Sequence, residues 1–255
     1  MIFRFLKQKR MAVEDAADHE APSIPANLRI YAIGDIHGRA DLLAKMAELI
    51  RSDIADAPLQ ALTVLLGDYV DRGLQSSQVM EWLATGAFPT PFVALKGNHE
   101  ETMAKALDEP ELIGSWRQYG GLETLMSYGV DVSLVMKGQG YDRASVDFAR
   151  KLPATHLKLI EAMPTSYVVG DYFFCHAGIR PKLGLKAQED RDLLWIREEF
   201  LNSDAPHEKI IVHGHTPAPN IEIKHNRINL DTGAYMSGKL SCLVLEGDQR
   251  RVLST

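Results

Sequence analysis

Five short polar words punctuate this sequence: GDIHG (Gly34 to Gly38), GDYVDRG (Gly67 to Gly73), GNHE (Gly97 to Glu100), CHAG (Cys175 to Gly178) and HGHTP (His213 to Pro217). Between them they gather the aspartates Asp35, Asp68 and Asp71, Asn98, and the histidines His37, His99, His176, His213 and His215. Carboxylates suit hard divalent cations, imidazoles suit borderline ones, and glycines let the backbone turn sharply behind the ligands. Such a mixed donor set points to manganese, iron or zinc rather than magnesium alone. Asp35 and His37 are two residues apart where an extended segment ends, so both can swing to one ion, and Asp68 at the next strand end is placed to bridge two. A single histidine beside a core strand is usually structural, and a single Gly-Asp pair usually marks a turn. At roughly 5% usage per residue type, a given four-residue word arises about once in 10⁵ positions, so the ordered series is not coincidence.

The elements that must carry these words can be read from periodicity. LRIYAI, a helical pattern from about Ala40 to Ile54, ALTVLL, a helical pattern over Ser76–Ala84, and FVAL give a β-α-β-α-β series, with each polar word following an apolar run. Parallel strands joined by crossover helices place ligand sites at the strand carboxyl ends. From Glu101 to about Pro164 the pattern is helical, broken near Pro110, Gly120-Gly121, Gly138 to Gly140 and Pro153, and reads as a helical cap insertion over about 101–165. SYVV, YFFC, KIIVHG, IEIK, RINL, LSCLVLE and RVLS then supply a second set of strands. The expected fold is α/β, a two-sheet β-sandwich flanked by helices, with a flexible tail over 1–27 and one catalytic domain over 28–255.

The five words together resemble those of the calcineurin-like metallophosphoesterases, in particular the phosphoprotein phosphatase branch in its bacterial and bacteriophage serine/threonine phosphatase form. The similarity spans about residues 29–245. It implies a centre of two divalent metal ions, most readily Mn²⁺ with Fe or Zn as alternatives. Asp35 and His37 would hold the first ion, Asp68 both, and Asn98, His176 and His215 the second, with His213 either supporting the ligands or structural. Two cations about 3.5–4 Å apart bring a shared water close to ionisation at neutral pH, so that a bridging hydroxide attacks phosphorus. His99 would then protonate the leaving group, Asp71 would orient His99, and Arg72 and Arg197 would hold the phosphoryl oxygens beside Asn98. Asp231, in NLDTGA, matches a family segment but is equally explained as a strand-end turn. The implied substrate is a phosphorylated protein, chiefly at serine or threonine, or a small phosphoester; the symmetrical dinucleoside tetraphosphatases share the same motifs.

Composition narrows the rest. Among 255 residues, 45% hydrophobic and 24% charged content fits a globular chain, and a net charge of −6 argues against a nucleic-acid partner. Cys175 and Cys242 lie in apolar runs and are expected to be buried thiols in a reducing, cytoplasmic setting. No apolar stretch has the length of a membrane span. Phe3, Phe5 and Leu6 among Arg4, Lys7, Lys9 and Arg10 offer at most a weak membrane contact. Trp116, Tyr119, Tyr128 and Trp195 could stack a base or pack a core, and core packing is the expectation for each.

Overall fold

A computed structural model describes residues 21–55 and 60–255. The chain runs through β1 (Leu28–Ile33), α1 (Ala40–Ile54), β2 (Gln60–Leu65), α2 (Ser76–Thr85) and β3 (Phe92–Ala94), as the periodicity implied. A helical stretch follows: α3 (Asn98–Asp108), α4 (Leu112–Trp116), α5 (Gly121–Ser127), α6 (Tyr141–Lys151) and α7 (Ala154–Ala162). Strands β4 (Ser166–Val169) and β5 (Tyr172–Cys175), the short helices α8 (Asp190–Trp195) and α9 (Glu198–Leu201), and strands β6 (Ile210–His213), β7 (Glu222–Ile223) and β8 (Arg227–Asn229) come next. The one-turn helix α10 (Ala234–Ser237) leads into β9 (Ser241–Glu246) and β10 (Gln249–Ser254).

The strands form two five-stranded mixed sheets, ordered β10-β9-β1-β2-β3 and β4-β5-β6-β8-β7. Strands β1, β2 and β3 are parallel neighbours, as are β5, β6 and β8, so each sheet turns three carboxyl ends the same way. Alternation decides what each face touches. Ile30 and Ala32 of β1, with Leu243 and Leu245 of β9, meet Tyr172, Phe174, Val212 and Ile228 between the sheets. Tyr31, Ile33, Cys242 and Val244 point the other way, into the helices. Across the second sheet, Phe173, Cys175 and Ile211 pack outward on Leu193, Ile196 and Phe200. Both cysteines are buried and free.

The helical insertion is not a separate lobe. Trp116, Leu125, Phe148 and Ile160 join the same apolar cluster as Leu43 and Met46 of α1 and Val79 and Met80 of α2. The insertion therefore continues the helical flank and brings its first turns against the carboxyl end of β2.

Of the expected tail, only residues 21–27 are described. Ile24 is only 4% exposed, its N–H donates to Gly247 O, and Ser23 O accepts from Asp171 N, so residues 22–27 are tied to the sandwich by backbone pairing and one buried side chain. The proposed membrane contact at residues 3–10 lies outside the described residues. Among the described residues no helix is long and apolar enough to cross a membrane.

Candidate active site

The first three polar words follow β1, β2 and β3; CHAG and HGHTP overlap the ends of β5 and β6. The sandwich brings all five to one place. Asp68, His176 and His215 offer ligand atoms within 4.8 Å of one another, and so do His37, Asp68 and His99; Asp68 is common to both groups. Nε2 of His176 lies 2.8 Å from Asn98 Oδ1 and 3.1 Å from His215 Nδ1. All six expected metal ligands are less than 10% exposed.

The backbone here departs from regular geometry. His37 (φ 45°), Asp68 (54°), Asp71 (72°), Arg72 (69°) and His215 (67°) sit in the left-handed region, which costs a residue with a side chain about 1–2 kcal/mol. The surroundings over-determine that conformation. Glu100, fully buried at the start of α3, accepts hydrogen bonds from the amides of Asp68 (2.9 Å), Tyr69 (2.7 Å), Val70 (3.2 Å) and Gly97 (2.9 Å), stapling the β2 loop to the β3 loop. Gly97 is required where those loops touch, since a Cβ there would lie 2.3 Å from Asp68 Oδ1 and 2.4 Å from Asp68 N.

Asp35, as buried as His37, belongs to neither three-residue group. Its carboxylate accepts the His215 amide (3.0 Å) and stands beside the carboxylates of Asp231 and Asp68. Burial, with the charges of Asp231 and Asp68, pushes its carboxyl well above the usual range. Burial likewise raises Asp231 to about 6. Burial would raise Asp68 as well, but His176, His99 and His37 around it hold it well below the ordinary value. Burial depresses His37 to about 3 and His215 to about 2, so both are neutral imidazoles able to ligate.

The donor set fits divalent cations. His37 Nε2 and His215 Nε2 are buried without a hydrogen-bond partner, and three mutually repelling carboxylates cluster beside them. Orphaned imidazole nitrogens facing crowded buried acids are costly unless a cation satisfies both. His37 Nδ1 is held by Val70 O at 2.9 Å and His176 Nδ1 by Leu66 O at 2.9 Å, contacts that fix which nitrogen faces the cluster. His213 is turned away: Nδ1 contacts Gly214 O at 3.1 Å, Nε2 lies 3.4 Å from Arg227 Nη1, and the ring edge meets Phe200.

Beside the cluster, His99 Nδ1 lies 2.5 Å from Asp71 Oδ2. Burial opposes its protonation, but the Asp68 charge and the Asp71 contact prevail and raise His99 to about 9. Asp71 is itself held from the helical insertion, accepting Trp116 Nε1 at 2.7 Å and Thr124 Oγ1 at 2.5 Å. No spacing rule signalled Trp116 or Thr124, which lie 45 and 53 residues from Asp71. Glu100 and Asp231 were visible in GNHE and NLDTGA but had been given no role.

The cluster opens into a depression of about 330 Å³ lined by Arg72, Asn98, His99, Tyr119, Trp195 and Arg197, among others. Arg72 Nη2 is 3.4 Å from His99 Nε2, and Arg197 Nη1 donates to Thr216 Oγ1 (3.0 Å) and His215 O (3.2 Å). Both expected phosphate-binding arginines thus reach the same mouth. Trp116 and Tyr128 pack inside as expected, but Tyr119 (64% exposed) and Trp195 (44% exposed) do not. Trp195 closes α8 and Tyr119 lies in the turn between α4 and α5, and both line the mouth, with only Trp195 Nε1 held, by Glu101 Oε2 at 2.8 Å.

An α/β sandwich whose strand ends converge on two histidine-rich groups sharing one aspartate has the architecture of a metal-dependent hydrolase. The chain belongs to the calcineurin-like phosphoesterase family, whose profile matches residues 28–236, and it is a metal-dependent phosphoesterase. It is 24% identical over 236 residues to the asymmetrical bis(5'-nucleosyl)-tetraphosphatase PrpE of Anoxybacillus flavithermus, covering 83% of this chain and 88% of that relative. It is 28% identical over 223 residues to serine/threonine-protein phosphatase 2 of Salmonella typhimurium, covering 83% and 90%, which supports the branch read from the motifs. Among solved structures, a putative diadenosine tetraphosphatase shares the fold with a TM-score of 0.62 at 17% identity, over 92% of this chain and 98% of that one.

Proposed function

We propose that the protein hydrolyses phosphomonoesters, with phosphoserine and phosphothreonine of proteins as its substrates, in a cytoplasmic setting. The observation that carries this reading is the His99–Asp71 pair, 2.5 Å apart, set between the Asp68-centred groups and a mouth flanked by Arg72 and Arg197. Asp35, His37, Asp68, Asn98, His176 and His215 would hold two divalent ions, manganese first and iron or zinc as alternatives. Those ions supply Lewis-acid activation of a water and of the phosphoryl group.

The remaining work falls to the chain. Arg72 and Arg197 orient the phosphoryl oxygens through planar paired donors, with the Asn98 side chain beside them. His99 carries the proton the departing alkoxide needs, and Asp71 keeps its Nδ1 occupied so that Nε2 faces the substrate. The open mouth supports a phosphorylated side chain presented by a protein surface. The exposed rings of Tyr119 and Trp195, together with the relatives named as tetraphosphatases, favour a second reading as a dinucleoside tetraphosphate hydrolase.

The two readings separate in one assay under Mn²⁺: phosphate release from phosphothreonine and phosphoserine peptides against cleavage of bis(5'-adenosyl) tetraphosphate. The first reading expects a higher kcat/KM on the peptides, and the opposite ranking overturns it.

A further inference from the structure

The side chain of Arg72 has little to hold it. Among the described residues the one polar side-chain atom within reach of its guanidinium is His99 Nε2, at a long 3.4 Å. Its backbone is fixed: the N–H donates to Gly120 O at 3.2 Å, and Gly120 approaches so closely that a Cβ there would lie 2.3 Å from Arg72 N. Beyond Cα, however, the guanidinium borders two spaces. One is the mouth above His99; the other is a groove of about 460 Å³ lined by Arg117, Glu123 and Tyr235, among others. A flexible side chain between two openings would spend much of its time facing away from the mouth, toward the Glu123 carboxylate.

Tyr235 stands where it can prevent this. The Arg72 guanidinium carbon lies 4.6 Å from the centre of the Tyr235 ring, a cation–π distance, and the same ring meets His37 in a T-shaped contact with centroids 5.4 Å apart. The ring is itself well placed by its backbone. Arg39 Nη1 donates to Ala234 O at 2.9 Å, and Gly233 N donates to Asp231 Oδ1 at 2.9 Å. Among the described residues the Tyr235 hydroxyl makes no hydrogen bond, so the ring face rather than the oxygen makes the contact.

We infer that Tyr235 is a positioning residue that holds the Arg72 guanidinium against the catalytic mouth through its aromatic face. The inference rests on the phosphate-binding role proposed for Arg72. A guanidinium held over a ring by the ring's negative face spends no N–H on the contact, so the contact restrains Arg72 without consuming the donors a phosphoryl group needs. Tyr235 acts on substrate only through Arg72.

The test is a double-mutant cycle on the manganese-loaded full chain, with p-nitrophenyl phosphate as substrate and inorganic phosphate as competitive inhibitor. Y235L should weaken KM and the phosphate inhibition constant by about 2- to 30-fold, the range of a cation–π contact, with a smaller change in kcat. Y235F should stay within about twofold of wild type, because it keeps the ring. In an R72A background Y235L should have no further effect, and bound manganese per chain should be unchanged throughout. An equal loss from Y235L in both backgrounds, or a Y235F as impaired as Y235L, overturns the inference while leaving Arg72 its role. An R72A enzyme with wild-type KM and phosphate inhibition overturns the role of Arg72 and the inference with it. Should Y235L fail to fold, Y235S carries the same comparison.

Discussion

The floor of the site and its mouth are held in opposite ways. On the floor, Asp71 accepts from Trp116 and Thr124 while contacting His99, and Glu100 accepts four amides; the residues involved are buried. At the mouth, Tyr119 has no side-chain hydrogen bond among the described residues, Trp195 has one, and Arg72 rests on a ring and one long contact. A fully satisfied buried network fixes geometry, and chemistry at phosphorus needs fixed geometry. A loosely held aromatic and cationic rim adapts, which suits the choice among phosphoesters. Under the proposed function, the difference assigns reaction to the rigid floor and substrate selection to the looser mouth.

The comparison can be broken from the floor first. Asp68→Asn should abolish turnover by orders of magnitude and reduce bound metal measured by elemental analysis, because Asp68 is common to both groups. Chelation should likewise silence the wild type, with activity returning on addition of Mn²⁺. His99→Asn should lower kcat by about 10²- to 10⁴-fold on substrates with poor leaving groups, with metal content retained. Since His99 also borders the His37 and Asp68 group, a loss of metal in that variant would reassign it as a ligand.

A smaller effect should come from the support of Asp71. Thr124→Val should cost about 10- to 100-fold in kcat with KM little changed, read from steady-state kinetics, as expected when an outer hydrogen bond to a catalytic pair is lost. At the mouth the effects should be smallest and selective. Tyr119→Ala and Trp195→Ala should change kcat/KM by less than about tenfold, unequally between phosphopeptides and bis(5'-adenosyl) tetraphosphate. A uniform loss of a hundredfold or more across substrates would place these rings in the floor and erase the distinction.

Much of the floor was legible. Asp68, Asn98, His176 and His215 follow or end apolar strands, and the structure gathers all four. His215 and not His213 faces the cluster, as the motif resemblance implied, because β6 still governs His213 and turns its ring toward Phe200. Asp35 was legible as a member, but not its crowding by the Asp231 carboxylate, which arrives after β8. The exposure of Tyr119 and Trp195 could not be read, because both lie in segments where an aromatic residue serves equally as core or as surface.

Sequence alone determined which residues could ligate metal and that they would stand at strand ends, since alternation and turn-forming glycines are local properties of the chain. It determined that there would be two sheets but not their membership: LSCLVLE and RVLS, read with the second set of strands, are β9 and β10 and extend the first sheet beside β1. Tertiary structure alone decided that Trp116 and Thr124 steady Asp71, that Asp231 lies against Asp35, and that Tyr235 sits beneath Arg72. Those contacts join residues dozens to hundreds of positions apart, and no local periodicity specifies which side chain a packed neighbour will meet.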